Sequence, residues 1–288
     1  MIATGYAMRW ILGMAAAALL TVGQPVQAQN GAGSAGGRLV ALENGVMGRG
    51  WEAVGRIDIG RRGFCSGALI EPNLVLTAAH CLFDRDSGAR VPDAELRFRA
   101  GLRNGRAEAD RSVRRTVVHP EYRFSGPEGN ARVGHDLALL ELDQPIRNAS
   151  IQPFAVQAQP LRGDAVGVVS YARGRSEVPS LEERCEVLDR DRHGVVTMTC
   201  AVDYGASGAP VFAFAHGQVR IVSVISAMAE LSDGSQRRVA LGVSLGPRLD
   251  TLRTALAAGD QRFMRVAEKG TDTPRQMSSG GGARFVRP

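Results

Sequence analysis

The feature that most constrains this chain is its cadence. From Trp51 onward, short apolar or alternating runs follow one another, broken by Gly, Pro, Asn and Asp. Trp51–Ile59, Phe64–Ile70 and Leu74–Thr77 open the series, with Glu71-Pro72-Asn73 as a turn between the last two. Leu96–Leu102 reads Leu-Arg-Phe-Arg-Ala-Gly-Leu, the alternation of a half-buried strand. Val113–His119 and Leu137–Leu142 continue it. A looser connector runs from Pro145 to about Gln159. Strand texture then resumes at Ala165–Ala172, Leu181–Leu188, Val195–Cys200, Ala209–Ala215, Val219–Ala227 and Val239–Leu245. Many short strands with almost no helix between them exclude an α/β layering and predict an all-β sandwich or barrel. One helix is expected at the end. Pro247 suits a first turn, and Leu249, Leu252 and Leu256 recur on one face. No internal repeat is visible.

The ends of the chain read differently. Residues 1–28 carry one charge, Arg9, then an apolar run from Trp10 to Val22 and a small-x-small site at Val26-Gln27-Ala28. That is the pattern of a cleaved export signal. The run is shorter than the ~20 residues that span a bilayer, so no membrane anchor is expected after cleavage. Residues 29–37 form a small, polar, flexible leader, and residues 259–288 a tail poor in apolar content, expected to be disordered. Net charge is +6, or +5 once Arg9 leaves with the signal, and the only lysine is Lys269. The arginines are scattered among acids rather than gathered into a basic run, which argues against nucleic-acid binding. Four cysteines, Cys65, Cys81, Cys185 and Cys200, suit two disulfides in an exported chain. Three pairings are possible, and nearest neighbours would close two modest loops. No Cys-x-x-Cys pair argues for zinc.

Three short stretches carry chemistry. In Gly205-Ala206-Ser207-Gly208-Ala209-Pro210, small neighbours leave the Ser207 hydroxyl exposed to a substrate carbonyl. A serine nucleophile needs a base and an orienter for that base. His80, in Thr77-Ala78-Ala79-His80-Cys81, follows a strand and sits where a Cys65–Cys81 bond would pin it. Asp136 stands at the start of the apolar strand Leu137–Leu142, placed to accept the second N–H of an imidazole. His135 is a rival base, but adjacent strand residues face opposite sides. The backbone N–H groups of Gly205 and Ser207 would form an oxyanion hole.

These boxes, in the order His, Asp, Ser, resemble those of chymotrypsin/trypsin-like serine proteases, of the bacterial secreted type. Lesser matches agree: Cys65-Ser66-Gly67-Ala68-Leu69-Ile70 before the His box, Val118-His119-Pro120-Glu121-Tyr122 before the Asp box, and Arg220-Ile221-Val222-Ser223 after the Ser box. The resemblance covers residues 38–258 and implies two antiparallel six-stranded β-barrels packed face to face, at about 45–150 and 151–246, with a helix at about 247–258. It implies peptide-bond hydrolysis through Ser207, His80 and Asp136 and an acyl-enzyme, acting on a protein or peptide. It calls for no cofactor and no metal, and fits a monomer in a secreted or periplasmic setting. It further implies a hydrogen bond from Ser223 to Asp136 and a specificity pocket touched by Ala201, Ser223 and Ile225. Cys185 and Cys200 bracket a hairpin-like segment that leads into the serine loop, where a bond would either brace the pocket wall or simply staple the barrel.

The departures are informative. Ala206 stands where many members carry the Asp that pairs with a freshly cut N-terminus, and residues 38–42 read Arg-Leu-Val-Ala-Leu. Activation through an N-terminal ion pair is therefore not expected. Ala201 replaces the acid of Arg/Lys-cleaving members, and bulky Ile225 narrows the pocket toward small side chains. Two rival readings remain: a catalytically silent binding module of the same fold, and a lipase or esterase. The latter wants Gly-x-Ser-x-Gly and the order Ser, Asp, His, and neither holds.

Overall fold

The computed structural model describes residue 1, residues 38–125, 129–157, 159–215, 217–231 and 237–259, and the backbone of 284–285. The segments expected to be an export signal and a leader, and nearly all of the expected tail, lie outside the described residues. A first strand, β1 (Leu39–Ala41), precedes six strands that close into a barrel: β2 (Val54–Ile59), β3 (Phe64–Glu71), β4 (Leu74–Thr77), β5 (Leu96–Ala100), β6 (Ala109–Val118) and β7 (Ala138–Leu142). Their order around the barrel is β2-β3-β4-β7-β6-β5, antiparallel throughout. A one-turn helix, α1 (Asn130–Val133), leads into β7.

Six further strands form a second closed barrel: β8 (Ala165–Ala172), β9 (Arg175–Arg190), β10 (Val195–Met198), β11 (Pro210–Ala215), β12 (Gln218–Glu230) and β13 (Arg238–Ser244). The ladder runs β9-β10-β13-β12-β11-β8 and closes through β8 on β9. The helix α2 (Pro247–Ala257) follows, with Pro247 in its first turn. It buries Leu249, Leu252 and Ala255, leaving Leu256 half-buried, so the apolar face is one residue off the expected one. Outside the barrel, β1 pairs with β9 (Leu39 opposite Glu182), and a terminal strand β14 (Arg284–Phe285) pairs with Ala229–Glu230 of β12.

The strands form where alternation and β-branched residues allow one buried face. Two extend beyond their apolar runs. β6 begins at Ala109, where Asp110–Ser112 pairs with β5 and Asp110 meets Arg97 at 2.9 Å. β9 begins at Arg175, and its first residues complete the hairpin with β8. Polar residues do not stop a strand whose outer face is wet. Trp51, Phe154 and Phe212 pack together with centroids 4.7–6.0 Å apart, joining the β2 side to the β11 side. No helix among the described residues is long and apolar enough to cross a membrane.

Candidate active site

His80 leaves β4 on a single 3-10 turn, Ala79–Leu82, whose Ala79, Cys81 and Leu82 are buried. Cys81 is bonded to Cys65 of β3, which fixes the turn against the neighbouring strand. The backbone N–H of His80 donates to Asp136 Oδ1 at 2.8 Å, and Nδ1 lies 2.6 Å from Oδ2. A carboxylate at that distance fixes the proton on Nδ1 and leaves the Nε2 lone pair free to take another.

Asp136 is 3% exposed. Its Oδ2 also accepts the Ser226 hydroxyl at 2.5 Å. Burial is the largest influence on this carboxyl and pushes it up. The charge on His80, with hydrogen bonds from His80 and Ser226, outweighs burial and holds it below the ordinary carboxylate value. The expected donor, Ser223, is not the one used. Its hydroxyl is fully buried and donates to Val243 O at 2.9 Å. The reason lies in β12, whose register to β13 slips between Ile225 and Ala227. At that bulge Ser226 leaves the ladder and reaches Asp136.

Ser207 sits on a loop that small residues alone permit. Gly205 has φ +93°, and a Cβ there would lie 2.3 Å from the Phe64 ring. A Cβ on Gly208 would lie 2.1 Å from Thr77 Oγ1 and 2.3 Å from Ser66 O. The loop is held from the first barrel. Ser66 on β3 donates its N–H to Ser207 O at 2.8 Å and its hydroxyl to Gly205 O at 2.9 Å. Ala206 is fully buried, and its N–H donates to Asp203 O at 2.9 Å. The second disulfide joins Cys185 to Cys200, at the start of the segment leading into the loop. Among the described residues, the N–H groups of Gly205 and Ser207 meet no acceptor, and the Ser207 hydroxyl makes no hydrogen bond to His80.

His80, Asp136 and Ser207 line one cleft of about 580 Å³, with Ile225, Ser226 and Met228 on its second-barrel wall. Of the three expected pocket residues, Ile225 lines it, whereas Ala201 and Ser223 do not. The Ala201 N–H is turned to Glu182 Oε2 at 2.8 Å. Arg85, Asp86, Arg132 and Asp203 put charges of both signs at the rim. His135 is not part of this cleft. Its ring stacks on His119 at 5.0 Å, and its Nε2 is 3.3 Å from Glu121 Oε2. Burial, then the charge of His135, lowers His119 to about 4.

Two six-stranded antiparallel barrels, with a half-buried His on a buried Asp from one and a small-residue serine loop from the other, define the architecture of the two-barrel peptidases. The family model described as trypsin-like peptidase domain matches residues 65–220, and the chain belongs to that family of serine peptidases. Over 94 residues it is 30% identical to coagulation factor IX of Cavia porcellus, a stretch covering 32% of this chain and 30% of that protein. The chain therefore spans about a third of that relative. A Glu endopeptidase structure superposes with a TM-score of 0.60 at 20% identity, covering 77% of this chain and 97% of the other. An inactivated protease paralogue of the scabies mite, S-D1, superposes at 0.58 with 14% identity, covering 78% and 97%.

Proposed function

We propose that this chain is an exported serine endopeptidase in which Ser207 is the nucleophile, His80 the general base and Asp136 the orienter of His80. The observation that carries the reading is the meeting in one cleft of a doubly hydrogen-bonded His80–Asp136 pair and Ser207, on a loop whose Gly205 and Ser207 N–H groups have no internal acceptor among the described residues. Ser207 Oγ attacks the scissile carbonyl and passes its proton to His80 Nε2. The negative charge forming on the carbonyl oxygen is received by the N–H groups of Gly205 and Ser207. His80 then gives its proton to the departing amine, and water hydrolyses the acyl-enzyme by the same route in reverse. Asp136 stays ionised throughout and stabilises the imidazolium. Ile225 and Met228 on the cleft wall favour small side chains before the cleaved bond. Export is supported by the signal-like leader and by four cysteines held as two disulfides.

One observation favours the silent-binding reading: the Ser207 hydroxyl is not hydrogen-bonded to His80. Such bonds often tighten only when substrate is bound. A fluorophosphonate probe separates the two readings. The wild-type protein labels at Ser207, and Ser207→Ala and His80→Ala abolish labelling while leaving circular dichroism unchanged. A folded wild-type protein that fails to label establishes the silent module. Labelling that survives Ser207→Ala overturns the assignment of the nucleophile.

A further inference from the structure

Away from the cleft, the fold gathers two imidazoles and a carboxylate that the catalytic reading does not use. His119 follows β6, Glu121 lies in the turn after it, and His135 ends the turn after α1. The His119 N–H donates to Leu137 O at 3.0 Å, which brings the two segments side by side. One ring nitrogen from each histidine and one Glu121 oxygen then lie within 4.8 Å of one another.

We propose that His119, Glu121 and His135 form a binding site for a divalent transition-metal ion, with zinc as the best-suited occupant. Ligands at about 2.0–2.1 Å in a tetrahedral zinc shell stand roughly 3.3–3.5 Å apart. His135 Nε2 and Glu121 Oε2 already stand 3.3 Å apart. The His135 Nδ1 lies 3.1 Å from Ala131 O, so it carries a proton and donates it there. That leaves the Nε2 lone pair facing a carboxylate, an arrangement that requires a cation between them, either a proton or a metal ion. A backbone carbonyl on the far nitrogen is also the usual second-layer support of a metal-bound imidazole.

Three further features bear on occupancy. The Glu121 side chain is 70% exposed, which gives an ion a path from solvent and leaves a fourth position for water. Recruiting His119 disturbs only a weak bond, the Glu121 N–H donating to His119 Nδ1 at 3.3 Å. Arg248 of α2 opposes the ion. It is fixed by 2.5 Å bonds to Gly134 O and His193 O and acts electrostatically on both His119 and Glu121. Glu121 offsets that charge. The other grouping of potential ligands among the described residues, Cys65, His80 and Cys81, has both sulfurs in a disulfide and so offers no thiolate.

Two imidazoles and one carboxylate select zinc, copper or nickel over magnesium or calcium. His135 adjoins Asp136, so an ion here also steadies the segment that carries the orienting carboxylate. The site itself stands whether or not the cleft is catalytic.

The test uses the full chain, stripped with a chelator and titrated with zinc against a chromophoric competitor, and separately with cobalt(II) followed by visible absorption. One equivalent binds in the wild type and in His80→Ala, and cobalt gives a four-coordinate spectrum. His135→Ala and Glu121→Gln each weaken zinc by about tenfold or more. His119 is buried, so the exposed Glu121 and the half-buried His135 are used and folding is checked by circular dichroism. No uptake of zinc in tenfold excess over protein overturns the proposal. Uptake that survives His135→Ala, or that is lost only with His80→Ala, also overturns it.

Discussion

Ser66→Ala isolates the side-chain contact among those that hold the serine loop. Ser66 is fully buried on β3. Its hydroxyl donates to Gly205 O at 2.9 Å and accepts the Tyr171 N–H at 3.0 Å. Tyr171 lies where the register of β8 to β9 slips between Ser170 and Ala172, so its N–H depends on a partner outside that ladder. Alanine keeps the backbone and removes one oxygen, leaving a buried N–H without an acceptor and a half-exposed carbonyl without a donor. A buried unsatisfied group costs about 1–3 kcal/mol, and a carbonyl that water can reach costs less. The sum is about 2–3 kcal/mol, which for an ordered region of about 200 residues lowers Tm by roughly 4–12 °C. The same change frees the Gly205 carbonyl, whose peptide plane also carries the Ala206 N–H, and so loosens the loop between the Gly205 and Ser207 N–H groups. Fluorophosphonate labelling therefore slows by at least about tenfold at a temperature where the variant is folded. Ser223→Ala is the control. That serine is equally buried but makes one bond, to Val243 O at 2.9 Å, so about 1 kcal/mol is lost and labelling is unaffected. A Ser66→Ala protein no less stable than Ser223→Ala, or one that labels at the wild-type rate, refutes the reasoning.

Ser226→Ala removes one of the hydrogen bonds that hold the Asp136 carboxyl low, so its titration, read by carboxyl ¹³C NMR, moves upward toward the ordinary value. A carboxyl depressed in the folded state adds stability above its unfolded pKa, and that stability disappears as pH falls through the folded value. In the variant, acid destabilisation therefore sets in at a higher pH, and an unmoved titration removes Ser226 from the site. Gly208→Ala forces a Cβ to within 2.1 Å of Thr77 Oγ1 and 2.3 Å of Ser66 O, and it lowers stability by about 3 kcal/mol or more. Gly217→Ala, at a similar φ of +72° with nothing within 4 Å, loses only about 1–2 kcal/mol to backbone strain. Equal losses by calorimetry in these two variants rule out the steric account.

The strands were legible because periodicity is a local signal, but it left sandwich and barrel open. The two barrels came from the resemblance of the His, Asp and Ser boxes, and the grouping of His80, Asp136 and Ser207 was legible because each sits in a short patterned box. Ser226 was not legible. Its role depends on the bulge between Ile225 and Ala227, and a bulge leaves no mark on an apolar run such as Ile221–Ala227. Ser223 is the expected donor because Arg220-Ile221-Val222-Ser223 resembles the family's strand, and an unbroken strand would put Ser226, three residues on, on the opposite face. Ser66 was visible only as a strand residue. Its two bonds to the serine loop exist because β3 and the loop come from different barrels, and no local pattern reports their docking. The His119–Glu121–His135 grouping escaped for the same reason: the fold, not sequence spacing, brings His135 back beside His119.

The position of Ala206 leads to one more expectation. Where an acid stands before the serine, its ion pair with a cut N-terminus orders the loop, and an uncut chain stays inactive. Here that position is a fully buried alanine whose N–H is taken by Asp203 O. Residues 39–41 are exposed and engaged elsewhere, as β1 along β9. Order in the loop comes instead from Ser66, from the Gly208 N–H donating to Ile225 O at 2.8 Å, and from the Ala209 N–H donating to Ala206 O at 2.9 Å. All of these form when the barrels fold, and none involves a chain end. A protein beginning at Gln29 therefore labels with fluorophosphonate at the same rate as one trimmed to Leu39. A Gln29 form that stays unlabelled until it is trimmed shows that the chain end orders the loop after all, through a contact other than an ion pair at position 206.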